Sequence, residues 1–143
     1  MKNILTARIF LQNPRDEVLV LRRSHRDNYR PGEYDLPGDG VEADERPDLA
    51  LIREVREETG IVLTREAMSL VYASAGVNQV SGDNVVRLFY TGDTQADEVV
   101  LSHEHHSYEW VGADKASELI THPSHAEALR YIRDNNIGPR LAS

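Results

Sequence analysis

The stretch PGDGVEADERPDLALIREVREETGI spans Pro37 to Ile61, and its reading decides the fold. A loop of small and acidic residues runs into a carboxylate-rich helix. Glu54, Glu57 and Glu58 stand at i, i+3 and i+4, so a helix carries them on one face. Like charges at that spacing cost a helix about 0.2–0.5 kcal/mol per pair, so something has to offset them. One candidate is Arg53 with Arg56, which would make this a salt-bridged, solvated face. The other is a hard divalent cation, Mg²⁺ or Mn²⁺, held by a few carboxylates together with substrate phosphates. Asp44 is placed to cap the helix, Pro47 fits its first turn, and Gly60 fits a left-handed stop after it. Leu49, Ile52 and Val55, with Leu51 beside them, predict a buried stripe from which the glutamates point away.

A longer spacing separates the two candidates. Glu45, Arg53, Glu54, Val55, Glu57, Glu58, Gly60 and Ile61 satisfy eight of the nine specified positions of G-x5-E-x7-R-E-U-x-E-E-x-G-U, where U is aliphatic. This resembles the signature box of the Nudix hydrolases. Upstream, Arg30 to Gly38 (RPGEYDLPG) is similar to the run that precedes the box in many members, with Tyr34 in the aromatic place as a packing residue. The resemblance covers roughly Leu19 to Gly112. The departure from the pattern is Asp39, which stands where the box opens with Gly; Asp44 is a milder one. Asp visits positive φ more readily than most residues, so the loop can keep its shape. A further carboxylate here either joins a metal site or repels an anionic substrate.

The chain has 143 residues, 40% of them hydrophobic, which suits one compact domain over 1–143 with a loose tail at 138–143. No basic leader with an apolar run opens it, and no apolar run approaches the roughly 18 residues of a membrane span, so a cytoplasmic protein with no membrane partner is expected. The formal net charge of −8 argues against nucleic-acid binding, which needs a basic face. The absence of cysteine excludes disulfides, thiolate zinc sites and a cysteine nucleophile. It also argues against isopentenyl diphosphate isomerase, a Nudix-fold enzyme that uses a catalytic Cys.

Residues 3–12 and 17–23 are apolar on both faces with turn chemistry between them, which predicts a hairpin in the middle of a layered structure. Arg22, Arg23, His25, Arg26 and Arg30 form the basic cluster of an acidic chain. They read either as a solvated loop or as a grip on substrate phosphate. Arg22 and Arg23 resemble the basic pair ending this strand in family members, and Arg23 is favoured. Residues 68–75 and 85–90 predict strands, and a third runs through Tyr108 and Trp110. In SHEHHSYEW, residues 102–110, the spacing of His103, His105 and His106 fits no standard zinc site. Residues 114–120 and 124–135 predict helices with Leu119, Ile120, Ala128, Leu129 and Ile132 inward, on the sheet face opposite the box helix.

The resemblance implies an α/β fold, a helix–mixed β-sheet–helix sandwich. It implies metal-dependent hydrolysis of a phosphoanhydride in a nucleoside di- or triphosphate derivative by in-line attack of water at phosphorus. It places Mg²⁺ or Mn²⁺ on Glu54, Glu57, Glu58 and the Gly38 carbonyl, makes Glu54 or Glu104 the proton acceptor, and has Glu45 and Arg53 supporting the box. Glu104 is assigned by likeness to the loop-borne glutamate that many members bring over the metal. A small nucleotide or nucleotide derivative is the implied partner, and a homodimer the assembly common in the family. No Pro occurs between Ile61 and Thr121 and no Tyr from Gly76 to Gly82, so the markers of ADP-ribose and dinucleoside polyphosphate hydrolases are missing. Asp39 keeps a second reading open, a catalytically silent module that binds a nucleotide or sugar phosphate.

Overall fold

In the computed structural model, which describes residues 1–96 and 98–137, a seven-stranded mixed sheet is layered between helices. The strands are β1 (Asn3–Gln12), β2 (Val18–Arg23), β3 (Tyr34–Asp35), β4 (Gly38–Gly40), β5 (Met68–Val77), β6 (Asn84–Asp93) and β7 (His105–Val111). The helices are α1 (Pro47–Thr59), α2 (Ala113–Leu119) and α3 (Pro123–Asp134). The expectation of a loose tail at 138–143 lies outside the described residues.

The two-sided apolar pattern of β1 puts it at the centre. It runs parallel to β6 along its whole length and antiparallel to β4 through Thr6, Ala7 and Arg8. The expected hairpin with β2 exists only at its closed end, Gln12 opposite Val18. There the Asn13 side-chain oxygen accepts from the backbone N–H of Arg15 and of Glu17, each at 3.0 Å. Beyond that point the strands part, and β2 pairs instead with β3 and β7. The short strands β3 and β4 fall in a stretch that reads as loop, because strands of two or three residues carry no periodicity.

Alternation along the central strands sorts the core into two layers. Ile9, Leu11, Leu19 and Leu21 face Leu51 and Val55 of α1. Phe10, Val18, Val20 and Phe89 face Ala116, Ile120, Ala128, Leu129 and Ile132 from the α2 and α3 side. Box helix and C-terminal helices therefore cover opposite faces, which is the layering the resemblance implies.

Two details of α1 differ from expectation. Its N-cap is Arg46, without a side-chain cap bond, and Asp44 lies outside the helix with φ 66. Pro47 at the first helical position has no N–H to satisfy, so the helix starts later than the acidic run suggests. The buried stripe is rotated as well: Leu49 is 44% exposed, while Ala50, Leu51, Val55 and Glu58 are buried. Apolar residues at 49, 51, 52 and 55 admit two stripes, and packing against Ala7 and Ile9 selects the one running Leu51, Val55, Glu58. Glu58 thus points inward, against the expectation for the whole glutamate face.

Candidate active site

The inward turn of Glu58 is what builds the site. Its carboxylate is 3% exposed and accepts the backbone N–H of Gly38 at 2.8 Å. Gly38 lies at φ 118, and a Cβ there would stand 2.1 Å from the Ala7 carbonyl oxygen and 2.8 Å from Arg8 Cα. Only glycine lets the backbone pass this close. Asp39 pairs with Ala7 in β4 and is not among the residues at positive φ, so its replacement of the box glycine brings no left-handed strain.

Arg53 ties the loop to the helix. Its Nε and a terminal nitrogen donate to the two Glu45 oxygens at 2.7 and 2.9 Å, and it reaches Glu54 at 3.0 Å and the Gly40 carbonyl at 3.4 Å. Glu45 also accepts from the N–H of Glu42 at 3.0 Å. These bonds, the Arg53 fork first, hold the Glu45 carboxyl down at about 2. Glu57 is exposed and contacts Arg53 only at 3.5 Å.

The loop before β7 closes the site. Ser102 N–H donates to the Glu58 carbonyl at 3.2 Å, and Ser24 N–H to the Glu104 carbonyl at 3.1 Å. Ligand atoms of Glu58, Glu104 and His105 all lie within 4.8 Å of one another. A small cavity of about 20 Å³ is lined by these three with Gly38, Asp39 and Arg23. Burial pushes the Glu58 carboxyl up to about 9 despite the Gly38 bond, with Glu54, Asp35 and Asp39 adding to the rise. Burial first, and then Asp39 and Glu57 against the pull of Arg53, raises Glu54 as well. The cluster therefore has more carboxylate than it can ionise unaided, which is what a cation would relieve. Burial lowers the His105 pKa, keeping the ring neutral, and its Nδ1 is buried without a hydrogen-bond partner.

The structure thus brings Glu58, Glu104, Gly38 and Arg23 to one place, with Glu54 beside them and Glu45 and Arg53 behind. Arg22 lies elsewhere, its Nε on the Gly32 carbonyl at 3.0 Å and its guanidinium over the Tyr34 ring at 5.6 Å. Arg23 is engaged by two carboxylates, Asp35 and Asp27, each at 2.7 Å. Two residues that motif reading passed over, Asp35 and His125, and one it set aside for its spacing, His105, matter here. Asp35 is fully enclosed, with Arg8 Nε at 3.1 Å and Arg23 on its other oxygen. Burial alone would raise its pKa, but Arg8, His125 and Arg23 hold it well below the usual carboxylate range. His125, 2% exposed, has Nε2 3.2 Å from Asp35 Oδ1 but off the hydrogen-bonding direction. His105 reaches the site because the β2–β7 register shifts between Arg22 and Arg23, a bulge of the kind that re-aims a side chain. No local sequence signal announces it.

Comparison with known proteins follows the same lines. The NUDIX domain family model matches residues 2–132. An RNA pyrophosphohydrolase of Hahella chejuensis is 38% identical over 68 residues, which span 48% of this chain and 38% of that protein. The CTP pyrophosphohydrolase of Escherichia coli is 28% identical over 110 residues, 77% of this chain and 78% of its own length. Among solved structures, a MutT protein from Methanosarcina mazei superposes with a TM-score of 0.76 at 30% identity, covering 94% of this chain and 96% of that one. With the box on α1, the sandwich around it and a family match over nearly the whole chain, this protein belongs to the Nudix family.

Proposed function

We propose that the chain is a metal-dependent pyrophosphohydrolase that cleaves a phosphoanhydride in a nucleoside di- or triphosphate derivative. The observation that carries this reading is the buried Glu58 carboxylate, bonded to the Gly38 N–H and faced by Glu104 and His105. Family membership and the activity named for the relatives support the same class.

The donor set suits a divalent cation. Carboxylate oxygens and the Gly38 carbonyl are the hard ligands that Mg²⁺ and Mn²⁺ take, and the unpartnered His105 Nδ1 adds a nitrogen that Mn²⁺ accepts more readily. Glu54, Glu57, Glu58, Glu104 and the Gly38 carbonyl are the residues that would hold the ion. When bound, such an ion neutralises phosphate charge and lowers the pKa of water. The protein's own part is positioning and proton transfer. Arg53 fixes Glu54 through its 3.0 Å bond while its fork on Glu45 pins the preceding loop, so the carboxylates are oriented before substrate arrives. The proton of the attacking water goes to Glu54, whose carboxyl burial makes more basic than a free one, or to Glu104 on its tethered loop.

Asp39 favours a second reading, a silent nucleotide or sugar-phosphate binder, because it adds negative charge beside Glu54. Product analysis decides between them: nucleoside triphosphates, nucleotide sugars and ADP-ribose are incubated with Mg²⁺ or Mn²⁺ and either the native chain or Glu58→Gln. Cleavage by the native chain and its loss in the variant support the hydrolase. Full activity in Glu58→Gln refutes it, and nucleotide binding without cleavage transfers the assignment to the binder.

A further inference from the structure

A second, larger cavity of about 170 Å³ opens beside the site, and Arg23, Asp35 and Asp39 line both. Its floor is the α3 face of the sheet: Thr6 and Arg8 share the face of Phe10 on β1, and Arg87 shares that of Phe89 on β6. Arg8, Arg23, Arg30 and Arg87 all reach it. In a chain of net charge −8 that concentration of guanidinium is unexpected on composition alone. Asp35 engages Arg8 and Arg23, and Glu33 engages Arg30 at 3.1 Å. Among the described residues Arg87 has no carboxylate partner; the groups around it are the Tyr29 hydroxyl, Arg8 and Arg30. Burial first, and then those two cations, lowers its pKa.

Other groups in the cavity are also short of partners. Thr6 Oγ1 and His125 Nδ1 are buried and unbonded, on residues that are 8% and 2% exposed. His122 accepts the Ser124 N–H on Nδ1 at 3.2 Å, so its neutral ring carries the proton on Nε2 and has a donor to spare. His122 is also the N-cap of the twelve-residue α3, whose positive end therefore lies at the cavity. Burial and nearby cations press the His122 pKa to about 3, so it serves as a neutral donor.

We propose that this cavity binds a second phosphate group, a phosphomonoester carried on the part of the substrate that flanks the scissile diphosphate, with Arg87 as its principal charged partner and Arg30, Thr6 and His122 completing the cradle. The fork of Arg fits a tetrahedral oxyanion, and a guanidinium that meets a tyrosine hydroxyl and no carboxylate has donors to spare. The proposal rests on the hydrolase reading for where the diphosphate lies, and it narrows the substrate to diphosphates bearing an additional phosphate.

The test separates the two. Inorganic phosphate is titrated calorimetrically into the full chain in EDTA, where no metal-bridged binding contributes. Native protein and Glu58→Gln should bind it, Arg87→Gln and Arg30→Gln should bind at least about tenfold more weakly, and Arg87→Lys should recover part of the loss. Circular dichroism melts establish that each variant is folded. Hydrolysis is then compared within two commercial pairs, NADP⁺ against NAD⁺ and coenzyme A against its dephospho form. The phosphorylated member of at least one pair should show the higher kcat/KM, and Arg87→Gln should level the difference. No phosphate binding by the native chain, undiminished binding by folded Arg87→Gln, or equal kcat/KM within both pairs overturns the proposal. Phosphate binding that depends on Arg87 in a chain that hydrolyses nothing overturns the hydrolase reading alone.

Discussion

Replacing Gly38 with alanine should unfold the site and much of the stability with it. The position has φ 118, a conformation costing a residue with a side chain about 1–3 kcal/mol. The added methyl would meet the Ala7 carbonyl oxygen at 2.1 Å, Arg8 Cα at 2.8 Å and Leu51 Cδ1 at 2.9 Å. Two of these are backbone of the central strand, which cannot swing aside as a side chain would, and overpacking of this kind costs about 1–3 kcal/mol. The retreat of β4 also lengthens the 2.8 Å bond to Glu58, worth about 0.5–1.5 kcal/mol for a carboxyl that burial keeps largely neutral without metal. Even the lower ends total about 2.5 kcal/mol, which for a chain of this length lowers Tm by roughly 10 °C. Differential scanning calorimetry of Gly38→Ala beside Gly40→Ala checks it, because a Cβ at Gly40 meets nothing within 4 Å. Equal melting of the two variants, within about 2 °C, would refute the close-approach argument.

Asp35→Asn leaves the buried Arg8 with only the 3.7 Å contact to Asp39, and half-buried Arg23 with Asp27 alone, and should cost about 3–5 kcal/mol in urea denaturation. Because the Asp35 pKa is depressed in the folded state, its contribution is present above the unfolded value near 4 and is lost as pH falls towards the folded one. The acid-side decline of native Tm should therefore be steeper than that of the variant. Arg53→Lys removes the fork on Glu45 and should lower kcat by about 10–100-fold, the usual cost of disturbing groups that orient metal ligands, with a Tm change of only a few degrees. His105→Ala should weaken Mn²⁺ binding, followed by thermal shift, more than Mg²⁺ binding, since Mg²⁺ prefers oxygen.

The residues of the box were legible because they act through local spacing. Arg53, Glu54, Glu57 and Glu58 fall together on a helix by its 3.6-residue period alone. Most elements were legible for the same reason: Asn3–Gln12 has the bounds its apolar run implies, and Gly60 takes the left-handed stop with φ 77. The stripe of α1 was not, since Leu49 and Leu51, two positions apart, offer alternative stripes of the same composition, and only the facing strand distinguishes them.

Sequence by itself determined the family, the layered architecture and the gathering of the box glutamates on one helix, all consequences of periodicity and of a long fixed spacing. Tertiary structure alone decided that Glu58 turns inward onto Gly38, that a strand bulge carries His105 to it, and that Asp35 gathers Arg8, Arg23 and His125. Those contacts join residues 12 to 90 positions apart. Which of many like-charged or polar side chains meet at such separations is set by the register and divergence of the strands between them, and no local pattern carries that information.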